Sequence, residues 1–174
     1  MLFAILPFVA FIGTGCAPAG PAPTGVVEVH VTDPGPSGDI TSISVTVCAV
    51  EIHKAGNEEG EWIPLDVTMP TFDLIELKEG GLEKILASGD VTAGKYTEIR
   101  MTIEKVEVTL GEGETPEATL PSSELKFVRP FDVAEGQTTV LTLDFDADKS
   151  VTVTGAGKAI VRPVVTLKVT TSTK

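Results

Sequence analysis

Basic side chains are scarce in this sequence: 13 Lys and Arg stand against 25 Asp and Glu, for a formal charge of −12. Phosphate backbones and anionic lipid headgroups are bound by clustered positive charge, so the composition argues against nucleic acid and against purely electrostatic attachment to a membrane. Aromatic residues make up only 5% of the chain, with one Trp and one Tyr. Trp62 and Tyr96 are the residues that could stack on a sugar ring, but core or edge packing is their expected role. Two histidines, His30 and His53, lack the spacing of a transition-metal site and fall on the polar phase of strands or at a strand end, so both are assigned to the surface. No G-x-S-x-G elbow, H-E-x-x-H pair, phosphate-binding loop or Gly-rich dinucleotide turn occurs, and Gly155-Ala-Gly-Lys-Ala159 has the wrong spacing for a phosphate cradle. Glu58 and Glu59 lie in an exposed loop that would not raise a carboxyl pKa for acid catalysis. No catalytic residues are expected.

Long hydrophobic runs are also absent apart from one, Leu2 to Ile12, of about eleven residues. That is well short of the ~20 residues needed to span a bilayer as a helix and is the length of a signal-peptide core. The run ends at Thr14-Gly15-Cys16, which fits a lipoprotein processing site, although Gly13 stands where Leu is expected and no Lys or Arg precedes the run. Residues 1–15 are therefore expected to be a signal peptide and Cys16 a lipidation site. Residues 16–25, with Pro18, Pro21 and Pro23, should form a semi-rigid tether between the membrane and the body of the chain. The expected location is exported and lipid-anchored, on the periplasmic or extracellular face. Cys48 is then left single as a small buried apolar residue; without acylation of Cys16, a Cys16–Cys48 disulfide is the alternative in an oxidising compartment.

Loss of the signal leaves about 159 of the 174 residues, one domain's worth, assigned to 26–170. This body alternates β-branched and polar residues between Gly, Pro and Asp turn signals. Val27, Val29 and Val31 share one face of a strand, with Glu28 and His30 on the other. Ile43, Val45 and Val47 start a second strand whose apolar phase passes to Cys48, Val50 and Ile52, which predicts a bulge near Cys48. Pro64 marks Trp62–Leu65 as an edge. Ile99, Met101 and Ile103 hand over to Val106 and Val108 with another phase shift. Only residues 73–88 break the period: positions 74, 75 and 77, then 82, 85 and 86, recur at helical spacing and predict a short helical insertion. About seven or eight strands with so little helix indicate an all-β fold, an immunoglobulin-like or transthyretin-like β-sandwich; a barrel is the lesser alternative.

The sharpest site pattern is Asp144, Asp146, Asp148 and Ser150, a D-x-D-x-D-x-S run whose oxygens could line a turn for calcium. It departs from the helix-loop-helix calcium motif, since Lys149 and Gly155 occupy the places of its Gly and Glu. A turn in which the Asp side chains bind nearby backbone amides is the competing reading.

Four landmarks, Trp62-Ile-Pro-Leu65, Phe72-Asp-Leu-Ile-Glu-Leu77, Gly94-Lys-Tyr-Thr-Glu-Ile-Arg100 and Asp144-Phe-Asp-Ala-Asp-Lys-Ser150, occur in an order that resembles domain-of-unknown-function family 4382, found in predicted bacterial and archaeal surface lipoproteins. The resemblance covers about residues 25 to 168. It implies a prealbumin-like sandwich and an envelope location, and no activity. The expected function is a membrane-anchored binding or structural module of the cell envelope, with a glycan or envelope protein as ligand. The alternative is a calcium-dependent adhesin or carbohydrate-binding domain using the Asp144–Asp148 run.

Overall fold

The computed structural model describes residues 20–33, 40–56, 61–79, 83–111, 113–115, 117–154 and 158–173. The proposed signal, Cys16, the start of the tether, Glu58 and Glu59, Leu82 and the glycines of 155–157 lie outside the described residues. Among the described residues, the chain is all-β with two short helices. Its elements are β1 (Thr24–Thr32), β2 (Ile40–Lys54), β3 (Glu61–Val67), β4 (Thr71–Asp73), α1 (Leu74–Glu79), β5 (Lys84–Thr92), β6 (Gly94–Leu110), β7 (Glu117–Thr119), β8 (Glu124–Val133), β9 (Gln137–Phe145), α2 (Ala147–Ser150), β10 (Val151–Val153), β11 (Lys158–Val161) and β12 (Val165–Thr173).

Among the described residues, one sheet runs in the order β12-β9-β1-β5-β3-β2-β6-β8, with β4 paired to β2, and a small sheet runs β10-β11-β7. Its strands follow the alternation in the sequence. Val27, Val29 and Val31 of β1 are completely buried, as are Ile99 and Met101 of β6 and Leu141 and Leu143 of β9. Each such side chain contributes about 1.5–3 kcal/mol through the apolar area it removes from water. β1 lies antiparallel to β5 and parallel to β9.

The sheet folds over at β3, which pairs with β2 across Glu61–Leu65 and then with β5 across Asp66–Val67. Pro64 sits in the part bonded to β2, opposite Glu51, and so meets the edge condition expected of it. At the opposite end, the turn Ala134–Gly136 carries the chain from β8, at one margin of the sheet, to β9, near the other margin. Gly136 takes a positive φ of 67° there, and the buried Thr139 hydroxyl donates to the Asp132 carbonyl at 3.1 Å. The enclosed core is bridged by Phe72 of β4 and Phe145 of β9, edge to face at 6.0 Å. α1 buries Leu74, Ile75 and Leu77 against it, and the Asp73 carboxylate caps α1 by accepting from the Ile75 and Glu76 amides at 2.8 and 3.2 Å.

Two expectations are corrected. Among the described residues, the helical insertion extends over Leu74–Glu79, and Lys84–Ser88 is strand. Val29 pairs with Ala87 and His30 with Ile85, so Leu86 is an extra residue in β5. This bulge turns the adjacent Leu86 and Ala87 both inward, which produces the helix-like apolar spacing from a strand. Cys48 is exposed, not buried. The expected bulge is present, since the β2–β6 register slips between Val47 and Ala49, but Cys48 is its surplus residue. The slip lets Val47 and Val50 both face the core, while the Cys48 thiol points to the Thr102 carbonyl at 3.5 Å.

Candidate functional site

The register of β3, β2, β6 and β8 arranges polar side chains on the face opposite Val50, Ile52, Ile99 and Met101. Trp62 pairs with His53, and His53 with Glu98; Pro64 pairs with Glu51, Glu51 with Arg100, and Arg100 with Lys126. Because side chains in one row of a sheet project to the same side, these rows converge on the single tryptophan. The Arg100 guanidinium carbon stands 4.2 Å from the centre of the Trp62 ring, the Lys126 ammonium 5.6 Å, and the His53 ring 5.0 Å. Both cations sit within the range at which the ring quadrupole attracts positive charge.

Carboxylates hold those cations in place. Arg100 donates to Glu51 through Nε at 2.9 Å and approaches it through Nη2 at 2.7 Å, with Glu124 at 3.7 Å on its other side. Lys126 pairs with Glu98 at 2.7 Å, and His53 Nδ1 meets the Thr97 hydroxyl at 2.7 Å. The result is a half-buried indole framed by three carboxylates and two fixed cations, a surface suited to polar recognition. Tyr96 belongs elsewhere: it is wholly buried, stacked on Phe131 at 5.4 Å, and its hydroxyl donates to the Thr92 carbonyl at 2.8 Å. Of the two aromatics considered for sugar stacking, only Trp62 reaches the surface.

The Asp144–Ser150 run spans the end of β9 and all of α2. Asp144 is bound by Lys168 at 2.5 Å. Asp146 caps α2, accepting from the Lys149 amide at 3.1 Å and the Lys149 ammonium at 2.5 Å. Those bonds hold the Asp146 carboxyl below its usual 3.8 and the Lys149 ammonium above its usual 10.5. Asp148 is exposed. The Ser150 hydroxyl is buried; it donates to the Asp146 carbonyl at 2.6 Å and accepts from the Val164 amide at 2.9 Å. Among the described residues, no three His, Cys, Asp or Glu side chains group to hold a metal ion. The buried Asp33, from the end of β1, fastens this turn by accepting from the Ala147 amide at 3.0 Å.

His30 is only partly exposed on the outer face of β1. Its Nε2 lies 3.0 Å from Glu28 and its Nδ1 3.0 Å from Glu83, which also accepts from the Thr142 hydroxyl at 2.7 Å. A cavity of about 400 Å³ opens beside the second half of β6, where Lys105 and Glu107 pair at 2.9 Å near Ala118 and Leu120. A second, of about 190 Å³, lies between Pro121, Leu125, Arg162 and Pro163.

The sequence points to Trp62 but carries no local sign that Arg100, Glu51 or Lys126 belong with it, nor any that marks Asp33, Asp73 or Glu83. The alternation within each strand could place Arg100 and Glu51 on the polar phase; only strand register brings them to one tryptophan. No curated protein and no solved structure matches the chain. The family described as Domain of unknown function (DUF4382) matches residues 24–163, from the first residue of β1 to the residue after Arg162. With most of its length so matched, the chain belongs to the DUF4382 family.

Proposed function

We propose that the protein is an exported, lipid-anchored module of the cell envelope that binds or supports and does not catalyse. The observation that carries this reading is the position of the first strand. β1 begins at Thr24, directly behind the Pro-rich stretch that follows Cys16, so an acylated Cys16 would hold the sheet off a membrane by a short extended spacer. The side chains around Trp62 support a recognition role: its charged groups are paired with one another across an open sheet face and do not converge on a reacting atom. A glycan or an envelope protein is the class of ligand such a face suits. Intact-mass analysis of membrane-extracted protein tests the anchor. Loss of residues 1–15 with acyl mass on Cys16 is expected; an unprocessed or unacylated chain would reject it.

We also infer a sandwich of the immunoglobulin-like or transthyretin-like kind. Layers β12-β9-β1-β5 and β3-β2-β6-β8, joined through β3 and bridged by Phe72 on Phe145, support it. An experimental structure with continuous hydrogen bonds between β8 and β12 would make it a closed barrel.

A further inference from the structure

The two ring nitrogens of His30 each face a different carboxylate at 3.0 Å, Glu28 on β1 and Glu83 just ahead of β5. An ionised carboxylate only accepts, so both contacts are hydrogen bonds only when the ring carries two N–H groups. With one proton, one contact becomes a nitrogen lone pair against a carboxylate oxygen.

The surroundings decide which contact yields. Glu28 is part of β1, with 29% of its side chain exposed; Glu83 is 46% exposed and leads into a strand. In the register row of His30, β5 presents Ile85 and β9 presents Thr142, with Lys168 of β12 opposite Thr142. Lys168 is bound to Asp144 at 2.5 Å, and Lys84 to Glu76 at 3.2 Å. The charged groups facing His30 are therefore Glu28 and Glu83, with Asp144 and Lys168 paired beyond them.

We propose that Glu28, His30, Glu83 and Thr142 form a pH-operated clasp that fastens the start of β5 to the outer face of β1 and β9. It is closed while the imidazole carries two protons and opens at Glu83 when it carries one. β5 is the strand through which β1 connects to β3, so the clasp holds the strand next to the one at which the sheet folds over.

A double-mutant cycle on the full chain tests this, with His30→Gln, Glu83→Gln and the pair unfolded in urea at about pH 5.5 and about pH 8.5. These values flank the ordinary imidazole range and stay above the carboxylate range. The expected coupling between the two positions is about two- to fivefold in the folding equilibrium at the lower pH and absent at the higher, as suits a partly exposed pair. Coupling that is equal at both, or greater at the higher pH, overturns the clasp. Should His30→Gln not fold, Glu83→Gln alone decides: its deficit against the native chain must shrink as pH rises, and a deficit independent of pH overturns the proposal.

Discussion

Arg100 stands over Trp62, guanidinium carbon 4.2 Å from the ring centre, while its Nη2 lies 2.7 Å from Glu51. One side chain thus joins three strands, since Trp62 is on β3, Glu51 on β2 and Arg100 on β6. Arg100→Lys keeps the charge but loses the planar fork that meets carboxylate and ring together. We expect Arg100→Lys to cost about 0.5–1 kcal/mol, the range for partly exposed cation–ring contacts. Because Trp62 is the only tryptophan, its emission should shift to longer wavelength as the indole gains water. Urea unfolding followed by that emission measures both; an unchanged midpoint and spectrum would mean the stack contributes nothing.

Tyr96 separates a hydrogen bond from ring packing. Tyr96→Phe keeps the stack on Phe131 and removes only the donor to the Thr92 carbonyl, for an expected loss of about 1 kcal/mol. Tyr96→Ala empties a fully buried site and should cost about 3–5 kcal/mol. Chemical denaturation of both variants checks the order, and equal losses would contradict this division.

Much of this architecture is legible in the sequence because strand alternation is a local property. Val27-Val29-Val31 and Ile99-Met101-Ile103 declare their buried face, and the phase change from Val47 to Val50 declares a bulge. The bulge position is less legible: Cys48 is apolar enough to pass for the buried member, and Leu86-Ala87 turn inward together in a way that mimics a helix. The outer-face site was hidden for a different reason. Trp62 and Arg100 are brought together by two successive strand pairings, β3 to β2 and β2 to β6, and a one-residue slip in either would send one of them to the core. Asp33 reaches Ala147 across most of the chain, a contact with no local signature.

Asp146 and Lys149 set the pH limits of the turn after β9. The Asp146 carboxyl is held below its ordinary 3.8 by bonds from Lys149, so its contribution is present above that value and is lost as pH falls through the lower folded-state value. Lys149 is raised above 10.5; its contribution is present below that value and is lost as pH rises through the higher folded-state one. Asp146→Asn still caps α2 but removes the charge. Its stability should therefore change less than the native chain's at both extremes, as read from urea midpoints against pH. Calcium and a chelator should leave the melting midpoint unmoved, because Lys168 and Lys149 already occupy Asp144 and Asp146 and a cation that binds the native state must raise it.

Gly25 tests how closely the β8–β9 turn packs on the start of β1. It lies in β1 opposite Val91, and a Cβ there would run into the Ala134 carbonyl oxygen, approach Val133 Cγ1 at 2.7 Å and lie 3.1 Å from the Gln137 carbonyl. Two of these neighbours are backbone and cannot rotate away, so β1 or the β8–β9 turn must shift. Gly25→Ala should cost about 2–3 kcal/mol, toward the upper end of overpacking penalties. Gly20→Ala, with nothing within 4 Å of the added carbon, is the control and should leave stability unchanged. If Gly25→Ala folds as stably as this control, the end of β8 and the turn into β9 do not press on the start of β1 as closely as these distances require.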